Sequence, residues 1–343
     1  MYDLVIRGGT IVDGTGGASF VGDLAIEKEK IVQVGGNIGP GEKELDAGGL
    51  LVTPGFVDIH THYDGQATWD QHLTPTGWHG VTTVVMGNCG VGFAPARPDQ
   101  HDWLIQLMEG VEDIPGSALA EGINWDWETF PQYLDALEKF DRSIDIGTQI
   151  PHGAVRAYVM GERSDQVATP DDIEKMSVIV EEALVAGALG FTSSRTMLHR
   201  AKDGEPVPGT FAGHDELMSL GRACGRAGHG VFEISSDFGM GGMHGRFRED
   251  VDWMSALSKE TGLPISFILA QASHHPDEWR EILHWTEQAV SAGANLRAQV
   301  AARPAGMLMN FDNPMHPFKG HPTYLKVAAL SLIHISEPTR LGM

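Results

Sequence analysis

Three times along this chain a helical stretch closes on a glycine and a β-rich run begins: at Ala186-Gly187-Ala188, Ala227-Gly228-His229 and Ala292-Gly293-Ala294. A glycine just past the last helical residue suits a left-handed cap, so its repetition marks a chain built from strand–helix units. Candidate strands fall at 55–60, 81–86, 144–150, 187–193, 230–234, 264–269 and 295–300. Helices are predicted between them at about 98–110, 127–139, 170–186, 214–227, 248–260 and 276–292. The helix at 170–186 is the best marked: Thr169 can cap it, Pro170 suits its first turn, and Asp171 and Asp172 face the positive end of its dipole. Repeated βα units require a parallel sheet with right-handed crossovers. The expected fold class is therefore α/β, a TIM-type (β/α)8 barrel with about seven strands present and the eighth missing.

Residues 1–54 follow a different rhythm. Leu4–Arg7, Thr10–Val12, Asp23–Ile26 and Lys30–Val34 are short strands separated by glycine and charged turns, the pattern of one half of a small β-sandwich. The expected organisation is a β-sandwich segment over 1–54 and an incomplete barrel over 55–329. Residues 330–343 are read as a non-native tail, because Leu330-Ser331-Leu332-Ile333-His334-Ile335-Ser336-Glu337-Pro338-Thr339-Arg340 resembles a translated sequencing-library adapter.

Barrel enzymes carry their reactive residues at the C-terminal ends of the strands. The first barrel strand, Gly55-Phe56-Val57-Asp58-Ile59, ends in His60-Thr61-His62. On a strand, positions i and i+2 share a face, so the two imidazoles converge while Thr61 turns away. Two convergent neutral imidazoles begin a site for zinc or a similar borderline ion. The second strand, Val81–Met86, runs into Gly87-Asn88-Cys89-Gly90. There the Cys89 thiol could ligate a metal as thiolate, or be a small buried hydrophobe. The glycines of this loop lack the order of a dinucleotide fingerprint. His152 follows the third strand and could touch a substrate or be satisfied by the backbone. Arg195 ends the fourth and could pair with a substrate carboxylate or with one of the many acids.

The charge balance is acidic, 46 acids against 24 bases for a net charge of −22. That argues against nucleic acid and anionic membranes as partners, since both need a basic face. Two cysteines in 343 residues exclude a disulfide-built scaffold. With neither a signal-like N-terminus nor a membrane-length apolar run in the sequence, the expected location is the cytoplasm.

Val5-Ile6-Arg7-Gly8-Gly9-Thr10-Ile11-Val12-Asp13-Gly14-Thr15, Thr53-Pro54-Gly55-Phe56-Val57-Asp58-Ile59-His60-Thr61-His62, and Gly80-Val81-Thr82-Thr83-Val84 through Gly87-Asn88-Cys89-Gly90 together resemble the amidohydrolase superfamily. The specific likeness is to its D-aminoacylase (N-acyl-D-amino-acid deacylase) branch, and the cysteine after the second strand is a mark of that branch. The resemblance implies a zinc-dependent hydrolase that cleaves a linear amide C–N bond of a small N-acyl amino acid with metal-activated water. It places His60 and His62 on one metal, with Cys89 bridging or ligating, and His152 matches a histidine that the branch carries after the third strand. It also implies metal-binding histidines at the ends of strands 5 and 6, where this chain has Glu233 to Asp237 and Ala270-Gln271. His274 and His275 follow, but ahead of a helix-cap pattern. One zinc ion is therefore expected, held by His60, His62 and a catalytic aspartate beyond the chain end, with Glu233 or Asp237 as possible contributors. A cyclic amide or another C–N substrate is the alternative within the same fold, and a non-catalytic or inactive truncated barrel is the alternative outside it.

Overall fold

The computed structural model describes residues 1–238, 247–273, 275–302, 316, 318 and 320–327. The chain divides into two units, Met1–Val57 with Pro75–Thr83, and Asp58–Thr74 with the remainder from Val84.

The first unit is a five-stranded sheet of β1 (Tyr2–Ile11), β2 (Phe20–Glu27), β3 (Lys30–Val34), β4 (Gly41–Asp46) and β5 (Leu51–Val52), in the order β3-β2-β1-β4 with β5 also on β1. Where two short strands and a glycine turn were expected, a single ten-residue β1 runs through Gly8-Gly9. The glycines make a bulge instead of a turn: the register against β2 shifts between Ile6 and Gly9, and Gly8 takes φ +65°. β4 pairs parallel with β1 despite its polar sequence. Val5, Ala25 and Ile38 form its small buried core, with Tyr2 packed against them.

The second unit carries the strand–helix repeat. The division between units passes through β6 (Phe56–Asp58) and β7 (Val81–Met86). After β7 come α1 (His101–Glu112), α2 (Gly116–Gly122), α3 (Phe130–Glu138), β8 (Asp145–Thr148), β9 (Ile150–Pro151) and α4 (His152–Met160). Then α5 (Pro170–Ala186), β10 (Gly190–Arg195), α6 (His214–Ala227), β11 (Val231–Ser236), α7 (Phe247–Thr261), β12 (Ile265–Ile268), α8 (Glu278–Ser291) and β13 (Leu296–Gln299) alternate, and α9 (Pro322–Val327) follows. β9 to β13 form one parallel sheet in chain order, with Phe191 opposite Phe232 and Ile265 opposite both Phe232 and Leu296. Backbone bonds from Gln149 N–H to Met86 C=O (2.9 Å) and from Leu189 N–H to Thr148 C=O (2.8 Å) join the row on its other side.

The cap chemistry explains the helix boundaries. Thr169 and Asp172 close a reciprocal capping box at the start of α5, and Gly187, Gly228 and Gly293 all take positive φ where their helices end. Ile173, Met176, Val180 and Leu184 line its inner face, Ile173 half-buried and the rest buried. Three helices, α2, α4 and the short α9, were not expected. α4 is buried on most of its surface, from His152 through Ala157, so it has no polar stripe to reveal a helical period. The expected tail at 330–343, and His274, lie outside the described residues.

Candidate metal centre

His60 and His62 lie just beyond β6 and not on it, since the regular strand ends at Asp58. Their convergence survives for another reason. Thr61 is pinned by its N–H and its hydroxyl, both donating to the Val85 carbonyl (3.0 and 2.8 Å), and the Asp58 carboxylate accepts from His60 N–H (3.2 Å). With the middle residue fixed, the flanking rings meet edge to face, with centroids 5.5 Å apart.

Cys89 comes to them from the loop after β7. Gly87, Cys89 and Gly90 all have positive φ. The loop is clamped against β10: Thr192 Oγ1 donates to Gly87 C=O (2.5 Å) and accepts from Gly90 N–H (3.1 Å). A Cβ on Gly90 would sit 2.7 Å from Ser194 N, so the close approach requires glycine. Asn88, fully buried, donates to the carbonyls of Thr61 (3.0 Å) and Val85 (2.9 Å) and accepts from Gln149 Nε2 (2.8 Å). It thereby ties the histidine segment to the cysteine loop.

The resulting geometry is that of a ligand set. His60 Nε2 is 3.2 Å from Cys89 Sγ, and donor atoms of His60, His62 and Cys89 all lie within 4.8 Å of one another. Gln299 Nε2 donates to Ser266 Oγ, which turns its Oε1 toward His60 Nδ1 at 3.1 Å. That acceptor places the ring proton on Nδ1 and leaves the Nε2 lone pair toward Cys89, the arrangement outer-shell partners impose on metal-binding histidines. Burial, and then the neighbouring His60, push the His62 pKa down to about 3, so its imidazole is neutral as a ligand must be. Burial first, then Glu112 and Glu233, hold the Cys89 thiol well above its ordinary range, a balance that a bound cation reverses.

Three polar atoms here are buried without a hydrogen-bond partner: His62 Nδ1, Glu112 Oε1 and Glu233 Oε1. Unsatisfied groups at this density are costly in a folded interior and ask for an ion. The donor set of two imidazoles and a thiol fits zinc, whose bonds of about 2.0–2.3 Å set neighbouring ligand atoms about 3.3–3.7 Å apart. Glu233, fully buried on β11, accepts from Gln149 Nε2 (3.0 Å) and stands 3.4 Å from His60 Nδ1; burial raises its pKa. Asp237 is turned elsewhere, onto Thr196 Oγ1 and Met197 N–H. Gln271 is exposed and donates to Pro276 C=O.

Two residues were missed in the sequence. Glu112, the last residue of α1, brings Oε1 to 3.2 Å from His62 Nε2, and His199 follows β10 with its Nδ1 3.1 Å from Ser194 Oγ. Both cluster with Cys89 within 4.8 Å. No local pattern marks either one, because only tertiary packing brings them to the loop.

The two residues expected to face substrate are placed differently. His152 is fully buried, with Nε2 on Glu216 (2.8 Å) and Nδ1 on Ser193 Oγ (2.8 Å), so neither ring nitrogen is open to a ligand. Glu216 can only accept; Nε2 therefore carries the proton and Ser193 donates to Nδ1. Arg195 is also buried, donating to Ala212 C=O (2.9 Å) and paired with Asp250 at 3.4 Å. Both knit α4, α6 and α7 to the strand ends. The loop 202–210 packs down on His152, where a Cβ on Gly209 would lie 2.5 Å from the ring.

The model of the amidohydrolase family matches residues 43–333. This chain belongs to the amidohydrolase family. Among curated relatives, the D-aminoacylase of Alcaligenes xylosoxydans xylosoxydans is 33% identical over 193 residues, covering 56% of this chain and 37% of that protein. The N-acyl-D-glutamate deacylase of the same organism is 29% identical over 337 residues, covering 94% of this chain and 58% of the relative. A solved D-aminoacylase structure, described as having a binuclear metal center, superposes with a TM-score of 0.71 at 25% identity, over 88% of this chain and 58% of the other. The amidohydrolase chain described here thus spans well under two thirds of the length of each of these proteins.

Proposed function

We propose that this amidohydrolase hydrolyses the amide bond of a small N-acyl amino acid, in the D series, using a zinc ion held by His60, His62 and Cys89. The observation that carries the proposal is the convergence of those three donors beyond β6 and β7, with His60 pre-oriented by Gln299. Bound there, zinc would polarise the scissile carbonyl and bring a water into its nucleophilic range at neutral pH. The chain's own residues do the rest of the positioning. Gln299 holds the tautomer of His60, Asn88 holds the spacing between the histidine segment and the cysteine, and Gly87 to Gly90 let the thiol approach. The half-buried carboxylate of Glu112 and the fully buried one of Glu233 add negative charge that favours a divalent cation. The substrate class is supported by the likeness to D-aminoacylase and N-acyl-D-glutamate deacylase.

The test is elemental analysis of purified protein, wild type and His60→Ala/His62→Ala, beside release of free amino acid from N-acetyl-D- and N-acetyl-L-amino acids. Zinc in the wild type, its loss in the variant, and turnover of the D series only are expected. Wild type without metal, or a variant that retains it fully, overturns the site; turnover of cyclic amides alone overturns the substrate class.

A further inference from the structure

Glu233 stands in the middle of β11, paired in register with Thr192 of β10 and Ser266 of β12. Register partners in adjacent strands point to one face of a sheet, so the three form a polar row. The hydroxyls on either side are committed: Thr192 Oγ1 to the backbone of Gly87 and Gly90, Ser266 Oγ to Gln299 Nε2. The carboxylate between them is fully buried. Its Oε2 accepts from Gln149 Nε2 at 3.0 Å, and the same nitrogen donates to Asn88 Oδ1. Its Oε1 lies 3.4 Å from His60 Nδ1 and has no hydrogen-bond partner. Among the described residues no lysine or arginine pairs with Glu233; its ionic neighbour is His60. A buried carboxylate without a permanent cation is costly, and packing alone does not require one here. Glutamine has the same shape, but its single acceptor oxygen could serve Gln149 or face His60, not both.

We infer that Glu233 is a positioning residue for the metal: with Oε2 held by Gln149, its Oε1 is a second, anionic acceptor for the His60 Nδ1 proton, beside the neutral one from Gln299, and it strengthens the hold of His60 on zinc. This rests on the proposed metal centre and goes beyond it. Gln299 Oε1, the nearer oxygen at 3.1 Å, aligns the ring, while the carboxylate adds negative charge behind the same nitrogen. With Nε2 on a cation, the Nδ1–H becomes a stronger donor and favours the anionic acceptor. Partners of this kind are worth about 10–100-fold in metal affinity.

The experiment titrates metal-free protein with zinc against a chromophoric chelator and follows urea unfolding of the same metal-free samples. Long-range proton–nitrogen spectra then read the histidine rings of the zinc-loaded protein, with His60 assigned by its loss in His60→Gln. Glu233→Gln should bind zinc about 10–100-fold more weakly, unfold at no lower urea than the wild type, and shift the His60 Nδ1 proton upfield. Glu112→Gln, which removes the same charge from the His62 side, should leave that proton in place. Unchanged zinc affinity in Glu233→Gln overturns the inference. So does an unfolding midpoint that falls with the affinity, which would make the role one of packing. A proton moved equally in both variants overturns it too, because charge alone would then explain the effect. Zinc-loaded wild type whose His60 Nδ1 carries no proton overturns it without any variant. Wild type that binds no zinc overturns the proposed metal centre instead, a result distinct from the others.

Discussion

Asn88→Ala removes a side chain that is not one of the three clustered donors yet joins the two segments bearing His60, His62 and Cys89. Three hydrogen bonds are lost, to Thr61 C=O, Val85 C=O and from Gln149 Nε2. The Val85 carbonyl stays satisfied, because Thr61 N–H and Oγ1 still donate to it. Gln149 keeps its bond to Glu233 but loses the partner of its other amide hydrogen. Two buried groups are therefore orphaned, Thr61 C=O and one Gln149 N–H, at about 1–3 kcal/mol each. The expected loss is about 2–6 kcal/mol, a large share of a total stability of about 5–15 kcal/mol. Urea unfolding of the metal-free protein reads this directly, and competition with a chromophoric chelator reads the accompanying loss of zinc affinity. Asn88→Asp should be at least as damaging, since it sets a carboxylate against two carbonyl oxygens. Unfolding midpoints and zinc affinity unchanged in Asn88→Ala would refute the reasoning.

Gly87→Ala should cost at least about 1–2 kcal/mol from its left-handed conformation alone, and a Cβ 2.1 Å from the Gln149 carbonyl should displace the loop further; metal titration should show weakened binding with the sulfur band diminished. Burial would raise the Glu216 carboxyl, but His152 and the Arg156 guanidinium outweigh it and hold the pKa down at about 2 against an ordinary 4.5. A depressed carboxyl stabilises above its unfolded pKa and loses that contribution as pH falls through the folded one. The stability gap between wild type and Glu216→Gln should therefore be widest above pH 4.5 and close toward about pH 2 in chemical unfolding at stepped pH. Thr169→Ala opens the capping box of α5 and should lower stability by about 1 kcal/mol in the same assay, with metal content unchanged.

The strand–helix repeat was legible because its signals are local: glycines at 187, 228 and 293 end helices through their own backbone freedom, and Thr169 caps through a residue three positions on. What escaped was set by packing. α4 hides because an almost wholly buried helix has no polar face, and β4 because Gly41–Asp46 is polar and pairs through its backbone. At the candidate metal centre, His60-Thr61-His62 and Cys89 stand out by spacing and loop chemistry. Glu112 and His199 read as ordinary helix-end and loop residues until α1 and β10 bring them to the thiol. His152 shows the converse: a histidine in a suggestive place whose two ring nitrogens are taken up by Glu216 and Ser193.

The bond between His60 and Gln299 spans 239 residues of sequence. At about 5–20 residues per second of synthesis, some 12–48 s separate the emergence of the two partners. For most of that interval, until β11 brings Glu233 within 3.4 Å of Nδ1, His60 has its neighbours from β7 but no acceptor to fix its tautomer. The hydrogen bond that fixes the lone pair facing Cys89 thus forms late, only when β13 has been made. Contacts of such long range repay the entropy of closing the chain only after it has been spent, and they slow folding. An ion arriving early meets a histidine free to turn; one arriving after β13 has docked meets a ring already aimed. Loading should therefore accelerate with the docking of β13, which makes the timing of metal uptake a clock for that docking.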